Sequence, residues 1–427
     1  MGTLIRQVRL INPLTQTDSL TDVLLTNGRI AAIASELEPA AWHRAIETVT
    51  EIATIEAEGW ILGPGLIDLY SHSSEPGHES RETLADLCQA ALAGGFTRVG
   101  LLPTTLPPLD HPAQIAQLSQ PRSRAPRLLP WGCLTLGAQG QRLCELAELS
   151  AAGAVGFSDG QPIANPVLLQ RLLEYAQSLE RPVALWPCDR ALTAEGAARE
   201  GEDSLRLGLP GVPAIAETAA LAALLECVAS LGRPVHIMRL STARGVDLVR
   251  QAKAQGLPIT ASVTWHHLLL STRDLASYDP QLRFDPPLGT PADRAALIAG
   301  LEDSTLDAIA VDHRAYTYEE KTVAFSSAPA GALGLALALP LLWQTLVETR
   351  RWSPLQLWRY LSLQPARCLR LEPPSVSVNQ PAEMLLFNPA AEWTVTSEQL
   401  RSPAANTPWL HQKLQGKVEQ VWLPELL

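Results

Sequence analysis

The chain has 427 residues, 46% hydrophobic and 18% charged, which excludes a disordered chain and suits one large barrel with a small appendage. Its 33 basic and 44 acidic side chains leave a net charge of −11, which argues against non-specific binding to nucleic acid or anionic membrane.

The amino terminus begins Met1-Gly2-Thr3-Leu4-Ile5-Arg6, without a basic segment leading into an apolar core. No secretory signal is expected from it. Leu4–Leu10 reads as a strand. Asp22-Val23-Leu24-Leu25 runs into Asn27-Gly28 and then Arg29–Ile33, which predicts a hairpin.

The pattern changes at Gly63-Pro64-Gly65. Eight short apolar runs follow: 66–69, 97–102, 127–134, 154–157, 182–185, 234–238, 258–263 and 306–311. Helix-length segments separate them, such as Glu79–Ala93, closed by Gly94-Gly95. Eight β/α repeats over roughly 250–300 residues predict a TIM-like (β/α)8 barrel rather than an open doubly wound sheet. The apolar run Ala330–Trp343 is shorter than the roughly 20 residues a membrane span needs, so a buried core helix is expected there. Past Pro365, residues 383–387 and 417–422 read as strands that pair with the amino-terminal ones. The expected organisation is therefore a small β-sandwich domain from residues 1–60 with 370–427, and a barrel over 61–369.

Six scattered cysteines form no CxxC pair, which disfavours a zinc ribbon and fits reduced thiols in a cytoplasmic protein.

Active sites of such barrels lie at the carboxyl ends of the strands. The residues there are Tyr70 with His72, Thr104, Asp159, Trp186, Arg239, Trp265 with His266, and Asp312. Trp186 and Trp265 are both expected near the mouth, and His236 as a satisfied barrel histidine.

The stretch Asp68-Leu69-Tyr70-Ser71-His72-Ser73-Ser74-Glu75-Pro76-Gly77 resembles the D-L-H-x-H-x-R-E-P-G signature of the dihydroorotases, in the amidohydrolase superfamily. Gly153–Asp159, Ser241-Thr242, His266-His267-Leu268, Asp285-Pro286-Pro287-Leu288 and Val311-Asp312-His313 follow in the family's order. The resemblance implies an amidohydrolase-type barrel that would bind zinc, polarise a cyclic amide and activate water.

Residue by residue, the metal shell departs from that pattern. His72, Asp159 and Asp312 stand at retained positions; Asp312 is the one the family uses as general base. Tyr70, Trp186, Arg239 and Tyr316 stand where histidines belong. Tryptophan offers only an N–H donor and cannot ligate a metal. Arginine is permanently charged, and at about 4 Å from a divalent ion it costs roughly 8 kcal/mol at an effective dielectric near 20. Arg239 is therefore expected to replace the cation and pair with Asp159 or Asp312. The substrate-binding positions are changed as well: Ser74 replaces the arginine that grips the substrate carboxylate, Thr104 an asparagine, and Asp285 another asparagine.

The reading favoured by these losses is a non-catalytic dihydroorotase-like protein of pyrimidine biosynthesis, without a cofactor. The resemblance implies a supporting role such as assembly with aspartate carbamoyltransferase, and a homo-oligomer is a second possible association. The alternative is an active cyclic-amide hydrolase interconverting dihydroorotate and carbamoyl aspartate, with one zinc ion on His72, Asp159 and Asp312.

Overall fold

A computed structural model describes residues 2–37 and 52–424. The parts of the expected small domain at residues 1, 38–51 and 425–427 lie outside them.

In chain order the strands are β1 (Gly2–Asn12), β2 (Thr17–Thr26), β3 (Arg29–Ala34), β4 (Ile52–Glu56) and β5 (Ile61–Pro64). Then come β6 (Leu66–Ser71), β7 (Phe96–Leu101), β8 (Arg127–Gly132), β9 (Gly156–Phe157) and β10 (Val183–Leu185). The rest are β11 (Ala198–Arg199), β12 (Gly211–Val212), β13 (Val235–Ile237), β14 (Ile259–Thr264), β15 (Ala308–Ala310), β16 (Met384–Thr394) and β17 (Lys413–Trp422). The eight strands β6–β10 and β13–β15 lie parallel and in sequential order, while β11 and β12 form a separate pair. The eight expected runs all coincide with these barrel strands, though some are shorter in the structure.

Closure between β15 and β6 uses a side chain as well as backbone. The Val311 N–H donates to Asp68 Oδ1 at 2.7 Å, the Asp312 N–H to the Tyr70 carbonyl at 3.0 Å, and the His72 N–H to the His313 carbonyl at 2.8 Å. These bonds hold the ends of the first and last strands side by side, and both ends carry site residues.

Alternation along the strands sends one set of side chains into the barrel and the other towards the helices. Ile67, Leu69, Leu129, Trp131, Val155 and Met238 fill the interior, with Tyr70 and Trp186 in the same cluster. Trp131 fits because Gly156 has no Cβ; one built there would lie 2.4 Å from the indole. The Trp131 Nε1 donates to the Leu69 carbonyl at 2.9 Å, so the buried indole leaves no unpaired donor.

Both chain ends join in one hydrogen-bonded sheet of seven strands, in the order β17-β16-β5-β1-β2-β3, with β4 also on β1. The small β domain expected from both chain ends is thus present, its strands hydrogen-bonded into one forked sheet among the described residues. Its β2–β3 hairpin turns at Asn27-Gly28, both at positive φ as a two-residue turn of this kind requires. The Arg98 guanidinium donates to both Glu383 carboxylate oxygens and ties this sheet to the barrel.

Two helical expectations change. The segment Glu79–Ala93 is helical only over Leu84–Ala93, because Thr83 and Asp86 form a capping box that fixes the start. The run Ala330–Trp343 is largely buried as expected but becomes helical only from Ala338, as an α-helix over Ala338–Leu342 that continues as a π-helix over Trp343–Glu348. Gly331 sits at φ +124, and a Cβ on Gly334 would lie 2.7 Å from Trp265 Nε1. The two glycines let an irregular segment pass close to the barrel wall before the helix begins. Among the described residues no helix is long and apolar enough to cross a membrane.

Candidate functional site

Arg239 follows β13 and Asp312 follows β15. Their side chains meet across the barrel mouth: Arg239 Nε donates to Asp312 Oδ2 and Nη2 to Asp312 Oδ1, each at 2.7 Å. This is a bidentate pair between a guanidinium 3% exposed and a carboxylate 14% exposed. The remaining donors are also used. Nη1 donates to the Gly160 carbonyl at 3.0 Å, and Nη2 lies 3.0 Å from His72 Nε2.

That last contact fixes the state of His72. A protonated Nε2 would face the guanidinium, so Nε2 accepts and Nδ1–H donates to Thr104 Oγ1 at 2.6 Å. Burial, with the nearby Arg314 charge, pushes the His72 pKa down to about 3. Burial alone would raise the Asp312 carboxyl, but the Arg239 guanidinium outweighs it and holds the group well below the usual carboxylate range.

Asp159 stands apart from this cluster. Its Oδ1 accepts from the Leu134 and Thr135 N–H groups at 2.8 and 2.9 Å, and its Oδ2 from Thr135 Oγ1 at 2.6 Å. The acid pins the loop after β8, and only its neighbour Gly160 reaches Arg239. Of the two expected partners of Arg239, the structure gives Asp312.

The substituted positions are occupied by packed groups. Tyr70 is fully buried; its hydroxyl lies 3.0 Å from Ser262 Oγ and accepts from the Arg239 N–H at 3.1 Å. Trp186 meets two cations, with the Arg239 and Arg190 guanidinium carbons 4.6 and 4.5 Å from its ring centroid. Arg190 in turn donates to Asp285 Oδ2 at 2.7 Å. The Tyr316 hydroxyl donates to the Ala330 carbonyl at 3.0 Å. Ser74 is buried at the base of its loop, and its carbonyl accepts from the His78 N–H.

Trp265 corrects its expected place: it is wholly buried, stacks on Trp409 at 5.1 Å, and does not line the mouth. Gly334 leaves room for it on the barrel wall. His236 is satisfied by Thr260 and Ser262, each at 2.9 Å, as expected. His267 is likewise bound, to Thr264 and the Pro287 carbonyl.

The mouth narrows to a cavity of about 40 Å³, lined by His72, Trp186, Arg239, His266, Asp285, Asp312 and Arg314 among others. Substrate pockets commonly measure roughly 300–1,000 Å³. The donor set does not fit a catalytic metal. His72 and Asp312 are both held by the guanidinium, Asp159 points to another loop, and among the described residues no three His, Cys, Asp or Glu side chains are placed around one point.

Sequence reading missed Arg190, Gly160 and Arg314 as parts of the site. Arg190 follows Trp186 by four residues, and Arg314 stands two residues after Asp312; both were visible. The Gly160 carbonyl left no sequence signal.

A closed parallel barrel with this strand-end cluster and a terminal sheet defines an amidohydrolase-type protein. The L-hydantoinase of Arthrobacter aurescens superposes with a TM-score of 0.81 at 20% identity, covering all of this chain and 97% of its own, which supports the fold alone. The family profile described as dihydro-orotase-like matches residues 59–244. A "probable dihydroorotase-like protein" of Synechocystis sp. is 44% identical over 96% of this chain and 97% of its own length. A dihydroorotase of Geobacter sp. is 37% identical over 98% of the chain and 96% of its own. The chain belongs to the dihydroorotase family of the amidohydrolase superfamily.

Proposed function

We propose that this protein is a dihydroorotase-family barrel that performs no metal-dependent hydrolysis and serves pyrimidine biosynthesis in a supporting role. The observation that carries the reading is the Arg239 guanidinium, bonded at once to Asp312 and His72. A fixed cation between two of the three retained ligand positions repels a divalent ion and uses the lone pairs it would need. The substituted substrate positions Ser74, Thr104 and Asp285 support the same reading. Thr104 is engaged with His72 and Asp285 with Arg190, so neither is free to orient a substrate.

The alternative, a mononuclear zinc site on His72, Asp159 and Asp312, requires three ligands to converge. The three hydrogen bonds that hold Asp159 against Leu134 and Thr135 weigh against it. The supporting role proposed is assembly with aspartate carbamoyltransferase, for which the family resemblance is the only support.

Turnover of dihydroorotate and carbamoyl aspartate by protein supplied with zinc tests the catalytic part. The expected result is no rate above the uncatalysed reaction; a rate that rises with bound zinc would overturn it. Affinity capture from the native cell tests the assembly part. It expects aspartate carbamoyltransferase with the chain, and its recovery free of the chain would count against that role.

A further inference from the structure

The Arg239–Asp312 pair leaves the mouth cavity with an uneven distribution of charge. Two carboxylates line it, and each already has a cation: Asp312 has Arg239, and Asp285 has Arg190. Arg314 also lines the cavity. Among the described residues its guanidinium has neither a carboxylate within salt-bridge reach nor a hydrogen-bond acceptor, and its nearest aromatic face is Tyr316, 5.5 Å away. Its stem is accommodated by Gly331, where an added Cβ would come within 3.0 Å of Arg314 Cβ and Cδ. The glycine therefore allows the arginine to lie along the wall.

A second group points the same way. His266 is 1% exposed, lines the same cavity, and its Nε2 has no partner among the described residues. The ring is set between Trp265 and Phe284, with centroids 4.1 and 4.4 Å away. Leaving a buried ring nitrogen unpaired is costly, and in the tautomer that carries the proton on Nε2 an acceptor at the cavity would relieve that cost.

We propose that the barrel mouth binds a small carboxylate, held by the Arg314 guanidinium and the His266 Nε2–H. The cavity of about 40 Å³ has room for roughly three waters, which suits a carboxylate head and not a six-membered ring. The anion would restore charge balance around Arg314 and satisfy the imidazole. Ser74, at the family's carboxylate-gripping position, does not line this cavity, so the proposed contact comes from a different strand end. The inference rests on the proposed function in one respect: Arg239 stays committed to Asp312 and is not itself available to the anion.

Calorimetric titration with sodium formate and sodium acetate, at constant chloride and ionic strength, tests it, with acetamide as the uncharged control. Saturable binding of one formate or acetate per chain is expected, and none of acetamide. Arg314→Met should weaken binding at least about tenfold, as loss of a charge-assisted contact does. Arg314→Lys keeps the charge without the fork and should weaken it less; it carries the same test if the methionine variant does not fold. His266→Phe should also weaken it. Absence of saturation in the wild-type chain, equal binding of acetamide, or full affinity in a folded Arg314 variant would overturn the proposal. Zinc content of the same preparation separates the two readings. Bound zinc contradicts the proposed function, whereas a zinc-free protein that ignores formate contradicts only the carboxylate site.

Discussion

Arg239 and Asp312 both have left-handed backbones, at φ +54 and +53, and their side chains are joined by two hydrogen bonds of 2.7 Å. Non-glycine residues rarely adopt this conformation, and each costs on the order of 1 kcal/mol or more. The strand ends therefore present the two charges to one another at some conformational expense. Removing one member leaves the other buried and uncompensated. Arg239→Met should lower unfolding stability by about 3–5 kcal/mol, measured by urea denaturation. Arg239→Met with Asp312→Leu should recover a large part of that loss, and a strictly additive double variant would show that the two side chains are not coupled.

Asp159 separates a structural role from a metal-binding one. Asp159→Ala strands two buried N–H groups and a hydroxyl, so it should cost roughly 2–3 kcal/mol in the same denaturation measurement. Asp159→Asn keeps an acceptor for both N–H groups and should cost less than half as much. Metal content should be the same in both variants and the parent chain, and a drop in bound metal confined to them would identify the acid as a ligand.

Lys321 predicts a pH effect with an uncommon sign. It is 3% exposed, its Nζ donates to the Pro280 and Pro329 carbonyls, and burial pushes its pKa down from 10.5 to about 7. The unfolded chain then binds more protons than the folded one between about pH 7 and 10.5, so this group makes stability rise with pH across that window. Relative to Lys321→Met, the wild-type chain should gain up to roughly 2 kcal/mol between pH 7 and 9. A difference that stays flat or falls over this range would refute the assignment.

Much of the architecture could be seen in the sequence, because eight short apolar runs separated by helical segments have few other solutions. The Asn27-Gly28 turn and the replacement of histidines by Tyr70, Trp186, Arg239 and Tyr316 were equally visible. What could not be read was direction. Asp159 and Asp312 both stand at strand ends, and only the geometry of the loop after β8 turns one away and leaves the other facing Arg239. Trp265 follows a strand just as Trp186 does, yet packs into the wall because Gly334 opens space for it. The segment Ala330–Ala336 has a helix-like composition, but it runs irregularly past Gly331 and Gly334, close against the barrel, and turns before the helix begins.

Restoring one histidine should not restore a metal site, because its neighbours remain unsuitable. Arg239→His alone should take up no stoichiometric zinc on dialysis, since Tyr70 and Trp186 still fill adjoining positions. Tyr70→His, Trp186→His and Arg239→His together remove the fixed cation and supply three imidazoles beside His72 and Asp312. That triple variant should bind zinc measurably by emission spectrometry. Equal zinc in the single and triple variants would show that the arginine alone had been the obstacle.

Anomalous X-ray scattering at the zinc edge, from crystals of the wild-type chain grown with zinc, addresses the guanidinium most directly. The account predicts no anomalous peak between His72 and Asp312, with planar density for Arg239 bridging them. A peak coordinated by those two side chains, with Arg239 displaced, would contradict it.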